Sequence, residues 1–594
     1  MSSAAVGYSV RLGDPQAHLF ALTLTIARPA ALQRVSLPVW IPGSYLVREF
    51  AKNLQRLQAH QAGQAVALVQ LDKCSWQVTC KTDRPLVLQY EVYALDNSVR
   101  TAWLDTARGF FNGTSLFLQV HGQENLPHAL ELVAAQAPTG WQAATALMPK
   151  RITKNGFGAY LAANYDELVD APVEMGKFWS GSFKAGGISH RFVVAGAPPS
   201  FDGERLLADC QAICATEIKF WHGTQAGSRA RSKPMHEDYV FMLNAVDEGY
   251  GGLEHRNSTA LICQRKDLPR LGQTGDAKPK QAEGYTTLLG LISHEYFHTW
   301  NVKRLRPAEF RHYDYARENY TQLLWFFEGF TSYYDDLLLR RAGLVDDAAY
   351  LKLLAKTINQ VLQTPGRTVQ SVAQASFDAW IKYYRVDENT PNATVSYYTK
   401  GALVALCLDL SLRQAGQTTL DAVMRALWLR CRGGPMTEAD LTTVLADLAG
   451  RSFAKEIASW VHGTADLPLK PLLTAQGLTV LEEPAPIAER LGLRVTQSDG
   501  VRIKTVLRGG AAERAGFASG DEWLGLTVGS AKSATSWRLT QLDDIMLYAG
   551  AASKIGAWVA RDKRLLKLSV TLPRSVTTWR LVVRDSRLVN LWLN

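Results

Sequence analysis

Cysteine is scarce in this sequence, and no two cysteines have the CxxC spacing typical of a metal-binding pair. Seven cysteines occur in 594 residues, and none of them forms a CxxC pair. Zinc sites built on thiolates depend on such short spacings. The cysteine pattern therefore argues against a thiolate zinc site, and it favours a compartment in which thiols stay reduced.

Long apolar and long basic runs are also missing. No stretch of about eighteen apolar residues occurs, so we expect no transmembrane helix and no membrane partner. The first residues, MSSAAVGYSVRLGDPQAHLF, lack a basic start followed by an apolar stretch. We therefore expect no signal peptide and favour the cytoplasm. The net charge of +10 is spread along the chain, which argues against a nucleic-acid partner.

The pattern of apolar residues changes several times along the chain. Short runs rich in β-branched and aromatic residues come first, then strands mixed with two helical segments, then a long stretch with a helical period. These changes predict a multidomain α+β protein. The predicted segments are 1–175 (antiparallel β), 176–344 (mixed, with helices at about 285–302 and 318–342), 345–475 (helical), 476–575 (a small last domain) and 576–594 (a C-terminal tail).

The stretch LISHEYFHTWNVKRLRP, residues 291–307, places His294 and His298 four residues apart. At this spacing two imidazoles share one helical face and can bind one zinc ion, which is the HExxH arrangement of zinc peptidases. Glu295 follows His294 directly, so its side chain points away from the face shared by the two histidines. It can therefore act as general base on a water molecule bound to the metal. The alternative is an exposed helix with two solvated histidines, and the apolar LLGLI just before the motif conflicts with it.

A catalytic zinc site needs a third protein ligand, either a carboxylate or an imidazole. The segment LLWFFEGFTSYYDDLLL, residues 323–339, predicts an apolar helix with Glu328 in its middle. A glutamate among Leu, Trp and Phe is costly to bury unless it binds a cation, so Glu328 is the predicted ligand. A protonated or solvent-reaching Glu328 is the alternative. Asp335 is either an acceptor for the N–H of a ligand imidazole or a solvated acid.

The string HEYFHTWNVKRLRP and the following EGFTSYY together resemble the M61 glycyl aminopeptidase family of gluzincin zinc metallopeptidases. WIPGSYLVREF, residues 40–50, is similar to the N-terminal domain of that family. The resemblance implies an N-terminal β domain, a thermolysin-like catalytic domain at 176–344, a helical part and a C-terminal PDZ domain. It also implies one zinc ion per chain, a peptide substrate with a free N-terminus, and removal of small residues such as Gly or Ala.

GGLEH, residues 251–255, resembles the GxMEN exopeptidase motif of related aminopeptidases. The resemblance implies that the backbone at Gly251 and Gly252 binds the substrate and that Glu254 binds its free α-amine. A carboxylate there would pair with an ammonium group and fix the register for removing one residue. His255 stands where asparagine is usual in that motif.

YYTKG, residues 397–401, resembles the family element in which a tyrosine stabilises the transition state. Tyr398 occupies that position. A phenol aimed at the scissile carbonyl can donate a hydrogen bond to the developing oxyanion. Ordinary packing of two adjacent tyrosines is the alternative.

The last domain contains ERLGLRV and GGAAERAGFASGDEWLGL, which resemble a PDZ domain. In such domains a peptide adds as an edge strand, and backbone N–H groups hold its terminal carboxylate. The resemblance implies a possible peptide or protein ligand for this domain. The segment matching the carboxylate-binding position is Leu491, Gly492 and Leu493.

These features together predict a zinc-dependent aminopeptidase. Three alternatives stay open. The first is a zinc endopeptidase whose PDZ domain selects protein substrates. The second is a non-catalytic peptide-binding scaffold that retains a metal. The third is a zinc hydrolase with a non-peptide substrate, since the metal chemistry does not name the scissile bond.

Overall fold

The N-terminal strands form where apolar and polar residues alternate. In Leu19–Ile26 every second side chain is buried. This is the pattern of a strand with one face against a core. Leu86–Tyr93 shows the same alternation beside it. The predicted β domain at the start of the chain is therefore confirmed.

A computed structural model gives the structure of the chain at residues 4–223, 235–272, 282–416, 418–530 and 533–594. The chain divides into two units. The first unit is Met1–Tyr320, Arg341–Leu344 and Arg425–Thr437, and the second is Thr321–Arg340, Val345–Met424 and Glu438–Asn594. The finer boundaries expected from the sequence stay a prediction.

The largest sheet of the first unit has eight strands, and one of its pairings is parallel. Val6–Asp14 runs parallel to His128–Leu132. The prediction of a wholly antiparallel domain is wrong at this pair. Parallel neighbours need a crossover connection, and the long segment between Asp14 and His128 supplies one. In spatial order the strands are Met148–Ile152, Gly158–Ala162, His128–Leu132, Val6–Asp14, Leu19–Ile26, Leu86–Tyr93, Leu54–Gln61 and Gln64–Val66.

Two smaller sheets share a hydrophobic core with the large one. Phe111, Phe117 and Trp141 are buried in that core. The first small sheet is Gln142–Ala144, Val173–Gly176, Arg108–Phe111 and Ala102–Leu104, and the second is Gln119–Val120, Leu32–Ser36, Ser75–Thr79 and Leu68–Gln70. Short helices in this region are Phe50–Asn53, Gly113–Leu116 and Tyr165–Val169.

A mixed five-stranded sheet follows in the same unit and supports the motif region. Its last strand, Gly251–Glu254, is an edge strand that pairs on one side with Ser258–Gln264. In spatial order its strands are Trp179–Ala185, Ile188–Ala195, Asp238–Val246, Ser258–Gln264 and Gly251–Glu254. The accompanying helices and short pairs are Gly203–His222, Arg265–Asp267, Glu283–Phe297, Ala308–Phe310, and Arg306–Pro307 paired with Pro435–Met436.

The helix that carries HExxH, called the motif helix below, spans Glu283–Phe297 and is shorter than expected. His298 caps its C-terminus, and Val302 has a φ of 109°, which a helix does not allow. A compact turn replaces the expected last helical residues, with Lys303 N donating to the carbonyl of His298. The predicted extent of 285–302 is therefore wrong at its C-terminal end.

The second unit begins with helices. Leu324–Arg341, called the glutamate helix below, starts later than the predicted residue 318. Its neighbour Thr399–Gln414 is buried along most of its length. The remaining helices are Asp347–Leu362, Pro365–Thr368, Val372–Phe377, Asp378–Trp380, Thr390–Ala393, Leu420–Arg430, Glu438–Ala449, Ala454–Trp460 and Leu469–Ala475. The predicted helical region is confirmed.

The C-terminal part of the second unit is a small antiparallel sheet with its own hydrophobic core. Its strands are Leu493–Thr496, Val501–Val506, Glu522–Val528, Lys554–Arg561, Arg564–Thr571 and Thr535–Arg538, and its helices are Ile487–Leu491, Ala511–Ala515 and Asp544–Ala549. The expected tail is ordered: Thr577–Val583 pairs with Leu478–Pro484, and Ser586–Leu593 is a helix. Its Trp592 is buried and donates to the hydroxyl of Tyr333.

Among the described residues, no helix combines the length and the apolar character needed to cross a bilayer.

Candidate active site

The motif helix is held firmly enough to fix the directions of its polar side chains. Ser293 Oγ donates to Glu217 Oε1 at 3.0 Å. The hydroxyl of Tyr296 lies 2.9 Å from Nε2 of His190. Because all four residues are buried, the helix is tied to two neighbouring elements, the helix Gly203–His222 and the strand Ile188–Ala195. The His and Glu side chains of the motif therefore project from a rigid support.

The two motif imidazoles point their Nε2 atoms at each other, 3.1 Å apart. The Nδ1 of His298 lies 2.7 Å from the carbonyl of Asn301, so Nδ1 carries the proton and donates it. The Nε2 of His298 then carries the lone pair, as in an imidazole that binds a metal ion. Two nitrogens bound to one tetrahedral zinc ion, each at about 2.0–2.1 Å, lie about 3.3 Å apart. The observed separation therefore suits a shared metal ion.

Glu328 completes a group of metal-ligand side chains. It is 2% exposed in the second turn of the glutamate helix. Ligand atoms of His294, His298 and Glu328 all lie within 4.8 Å of one another. Two imidazoles and one glutamate are the donor set of thermolysin-type catalytic zinc sites. The group therefore fits a zinc ion.

Glu295 lies against the edge strand of the five-stranded sheet. A Cβ atom placed on Gly252 would be only 2.0 Å from Oε1 of Glu295. Any side chain at Gly252 would occupy the space that the carboxylate fills. Glu295 is itself only 5% exposed. The glycine therefore allows a buried carboxylate to lie directly beside the strand backbone.

Glu254 is a nearly buried carboxylate at the end of that strand. It is 4% exposed, and among the described residues its carboxylate has no hydrogen-bond or ion-pair partner. An ionised carboxylate in such a place is costly without a compensating cation. Within the described part of the chain no positive group pairs with Glu254, and a ligand ammonium could take that place.

His255, which replaces the usual asparagine of the exopeptidase motif, belongs to a buried ion-pair cluster. Its Nδ1 lies 3.1 Å from Oδ1 of Asp170, and Lys303 Nζ lies 2.7 Å from the same oxygen. Burial opposes ionisation of Asp170, but Lys303 and His255 hold its pKa well below the usual value. This cluster joins the end of the edge strand to the turn that follows the motif helix.

The basic residues after the motif hold this turn in place. Arg304 is 8% exposed and donates to the carbonyls of Thr299 and Arg256. Burial lowers the pKa of Arg304 to about 10, so it stays charged at neutral pH. Arg306 donates to the carbonyl of Lys303. These basic residues therefore stabilise the turn from within the protein.

Two glycines bring Tyr398 close to Glu328 within the second unit. Gly329 follows Glu328, and a Cβ on it would be 2.5 Å from the Cα of Gly401. A Cβ on Gly401 would in turn be 2.5 Å from the carbonyl oxygen of Trp325. The glutamate helix and Thr399–Gln414 therefore touch backbone to backbone. This close crossing places Tyr398, the N-cap residue of Thr399–Gln414, near the Glu328 carboxylate.

The phenol of Tyr398 is held in its protonated form. Burial, and then the charge of Glu328, raise the pKa of Tyr398 well above its ordinary value. The ring stacks on Tyr397 and Tyr383, with centroids 4.9 and 5.3 Å away. Its hydroxyl is 3.4 Å from that of Tyr384. Tyr398 is therefore a rigidly packed hydrogen-bond donor.

Asp335 is half-buried on the glutamate helix, and its Oδ1 accepts a hydrogen bond from the backbone N–H of Asp336. The expected acceptor role cannot apply to His298, because the carbonyl of Asn301 already accepts from its Nδ1. A role towards His294 stays a prediction.

The expected carboxylate-binding segment lies at the start of an edge strand. Leu491 ends a short helix, Gly492 caps it with a φ of 74°, and Leu493 begins the strand Leu493–Thr496. The N–H of Gly492 donates to the carbonyl of Glu489, so this group is already used within the chain. The PDZ identity of the domain and its ligand stay predictions.

Several residues that shape the site lack a recognisable local pattern. Gly43, in the N-terminal stretch WIPGSYLVREF, lies directly against the Glu254 carboxylate. Arg100 donates through Nη2 to the carbonyl of Gly252 at 3.2 Å. Asn301 and Asp170 hold His298 and His255. Of these, only the Pro-Gly step at Gly43 gives a signal in the sequence, and that signal predicts a turn rather than a role.

Comparisons with known proteins agree with this geometry. The model of the M61 glycyl aminopeptidase family matches residues 287–404, and the model of the peptidase M61 N-terminal domain matches residues 7–177. A search of curated proteins finds no match to the sequence. The chain is similar to the crystal structure of an aminopeptidase N family protein from Idiomarina loihiensis, with 34% identity, a TM-score of 0.92, and coverage of 99% of this chain and 100% of that one.

A weaker likeness links the chain to M1 zinc metallopeptidases of Deinococcus radiodurans. One such structure has 15% identity and a TM-score of 0.47, and the match covers 78% of this chain and 94% of that one.

The donor set and the family match define a zinc metallopeptidase. The chain belongs to the M61 peptidase family, as its similarity to a relative over almost its full length shows.

Proposed function

We propose that this protein is a zinc aminopeptidase that removes single residues from the free N-terminus of peptides. The observation that carries the proposal is Glu254, a nearly buried carboxylate without a cationic partner among the described residues. It lies on the same four-residue edge strand as Gly252, which is in contact with Glu295. A substrate ammonium bound by Glu254 would therefore set its first peptide bond close to the proposed general base.

One zinc ion would be held by His294, His298 and Glu328, a donor set whose ligand atoms lie within 4.8 Å of one another. When bound, zinc lowers the pKa of a water molecule and polarises the scissile carbonyl. The hydrogen bond from His298 Nδ1 to Asn301 would keep the Nε2 lone pair directed at the ion. Asp335 is proposed to do the same for the other imidazole.

Glu295 would act as the general base and then as the general acid. Its carboxylate accepts the proton of the attacking water and passes it to the leaving amine. Packing against Gly252 limits the positions that the carboxylate can take. Such restriction favours catalysis because both proton transfers need short and well-aligned contacts.

Tyr398 would donate a hydrogen bond to the oxyanion that forms on the scissile carbonyl. Its raised pKa keeps the phenol protonated, and its stacking on Tyr397 holds the ring in place. A preorganised donor stabilises the transition state more than the substrate.

The backbone of Gly251 and Gly252 would pair with the extended substrate. These residues belong to an edge strand, and main-chain groups on the open side of such a strand can accept a further strand. We propose a preference for small N-terminal residues, Gly or Ala; the family description names glycine. A peptide ligand of the C-terminal domain would add beside Leu493–Thr496, another edge strand.

The experiment uses matched peptides that differ only in a free or an acetylated N-terminus, with products identified by mass spectrometry. The proposal expects stepwise loss of single residues from the free-amine peptide, loss of activity with a chelator, and recovery with zinc. Glu254→Ala should raise KM for the free-amine peptide by about 10- to 100-fold, because a charge-assisted contact is lost. Internal cleavage of both peptides at equal rates would instead indicate an endopeptidase, and no cleavage with zinc present would indicate a scaffold.

A further inference from the structure

A tight turn of the N-terminal domain reaches the proposed amine-binding carboxylate. Ile41 and Ser44 form a β-bridge, and Ser44 N donates to the carbonyl of Ile41 at 3.1 Å. Pro42 and Gly43 occupy the two central positions, and Gly43 has a φ of +89°. Proline followed by a residue with positive φ is the signature of a type II turn. The turn therefore has a defined backbone shape that favours glycine at its tip.

The turn is anchored on both sides of its tip. The indole Nε1 of Trp40 donates to the carbonyl of Asp314 at 2.8 Å. Val39 N donates to the carbonyl of Tyr315 at 2.9 Å, and Arg48 N donates to the carbonyl of Val39 at 2.7 Å. Trp40 is fully buried. The position of the tip is therefore fixed by the fold rather than by a ligand.

The tip of the turn lies close to the two oxygens of the Glu254 carboxylate. A Cβ on Gly43 would be 2.5 and 2.6 Å from its two oxygens and 2.7 Å from its carbon. Because both oxygens are closer than the carbon, the added Cβ would lie in front of the oxygens, on the side where a hydrogen-bond donor binds. The absence of a side chain at Gly43 therefore keeps this space open.

The edge strand that carries Glu254 is held to the same N-terminal domain at two further points. Arg100 Nη2 donates to the carbonyl of Gly252, and Asp170 binds His255. The carboxylate and the turn over it are thus parts of one braced unit. A change at Gly43 has to be absorbed locally, by Glu254 or by the turn.

We propose that Gly43 is a specificity-determining residue, and that the turn Ile41–Ser44 forms the closed end of the pocket for the substrate's α-ammonium group. This inference rests on the proposed role of Glu254. The missing side chain at Gly43 leaves the space in front of the Glu254 oxygens open for an ammonium group. The N-terminal domain thereby takes part in selecting peptides with a free amine.

The test compares two glycine-to-alanine variants that share the same backbone strain. Gly43→Ala places a methyl group on the carboxylate, whereas Gly122→Ala has a similar φ of +87° with no atom within 4 Å of the added Cβ. With an alanyl anilide as substrate, Gly43→Ala should raise KM by about 10-fold and change kcat by less than about threefold, because binding of the amine alone is damaged. Gly122→Ala should leave both constants within about twofold.

A double-variant cycle separates a specific effect from general damage. In the Glu254→Ala background the added methyl group has no carboxylate to displace, so Gly43→Ala should change kcat/KM by less than about twofold. Glu254→Asp has a shorter side chain that leaves room for the methyl group. Added to Gly43→Ala, it should therefore reverse part of the increase in KM. The inference is overturned if Gly43→Ala resembles Gly122→Ala, or if it lowers activity equally in the Glu254→Ala background. Failure of Glu254→Ala itself to affect free-amine peptides would instead refute the proposed function.

Discussion

The contact between Gly252 and Glu295 allows a quantitative prediction about catalysis. A methyl group at Gly252 would be 2.0 Å from Oε1 of Glu295, whereas an ordinary contact begins at 3.4 Å. The carboxylate or the strand must therefore move by about 1.4 Å to accept the substitution Gly252→Ala. A misplacement of about 1 Å at a reacting group can cost about 100-fold in rate. We therefore expect kcat to fall by about 100-fold or more.

The assay measures steady-state kinetics and zinc content on the same preparations. Gly252→Ala should keep its zinc, because Gly252 is not among the three proposed ligands. Gly7→Ala is the matched control, since Gly7 also lies in a strand but an added Cβ would meet no atom within 4 Å. Its kcat should stay within about twofold of the parent, since surface changes of this kind have small effects.

Glu295→Gln tests whether Gly252→Ala lowers kcat through Glu295. This variant should keep zinc and lose turnover by several orders of magnitude, because the general base is removed. If Gly252→Ala acts by displacing Glu295, it should add little to the loss already present in Glu295→Gln. Nearly normal kcat in Gly252→Ala, or a full further loss in the Glu295→Gln background, would refute this reasoning.

Two further predictions concern the metal and the buried histidines. Glu328→Ala should lose most of its zinc in atomic emission measurements, since one of three ligands is removed; full zinc occupancy would contradict the assignment. Burial lowers the pKa of His190 to about 4 and that of His236 to about 3. Both imidazoles are therefore neutral in the folded protein but protonate on unfolding at the ordinary pKa of about 6.5. The free energy of unfolding should fall as the pH drops below about 6.5 and level off near pH 3–4. The melting temperature should fall less steeply with decreasing pH in His190→Phe than in the parent protein. An equally steep fall in both proteins would contradict this reasoning.

The motif helix was predictable because its signals are local. The spacing of His294 and His298 defines one helical face, and the apolar residues before them indicate burial. Glu328 was predictable for a similar reason, because an isolated carboxylate in an apolar helix calls for a cation. Both expectations use only neighbouring residues, and the three side chains do form a group that fits a metal.

The ends of elements were less predictable because they depend on distant or side-chain contacts. The motif helix stops at Phe297 since the turn after it is fixed by His298 and Arg304, whose partners do not follow from periodicity. The parallel pairing of Val6–Asp14 with His128–Leu132 joins segments far apart in the sequence. No local pattern specifies which strands become neighbours across such a separation.

The N-terminal domain illustrates the same limit for the site. Its residue Gly43 looks like an ordinary turn glycine in the sequence, and Glu254 lies more than two hundred positions later. Only the folded chain brings the turn over the carboxylate. Likewise, the sequence does not show why Gly329 and Gly401 are glycines. The structure does, because Leu324–Arg341 and Thr399–Gln414 touch backbone to backbone at these two positions.

The most direct test of the central claim is anomalous diffraction at the zinc edge from crystals of the purified protein. The account predicts one strong peak per chain, about 2.0–2.2 Å from Nε2 of His294, Nε2 of His298 and a carboxylate oxygen of Glu328. A peak elsewhere, or no peak at these side chains in zinc-loaded and active protein, would contradict the account.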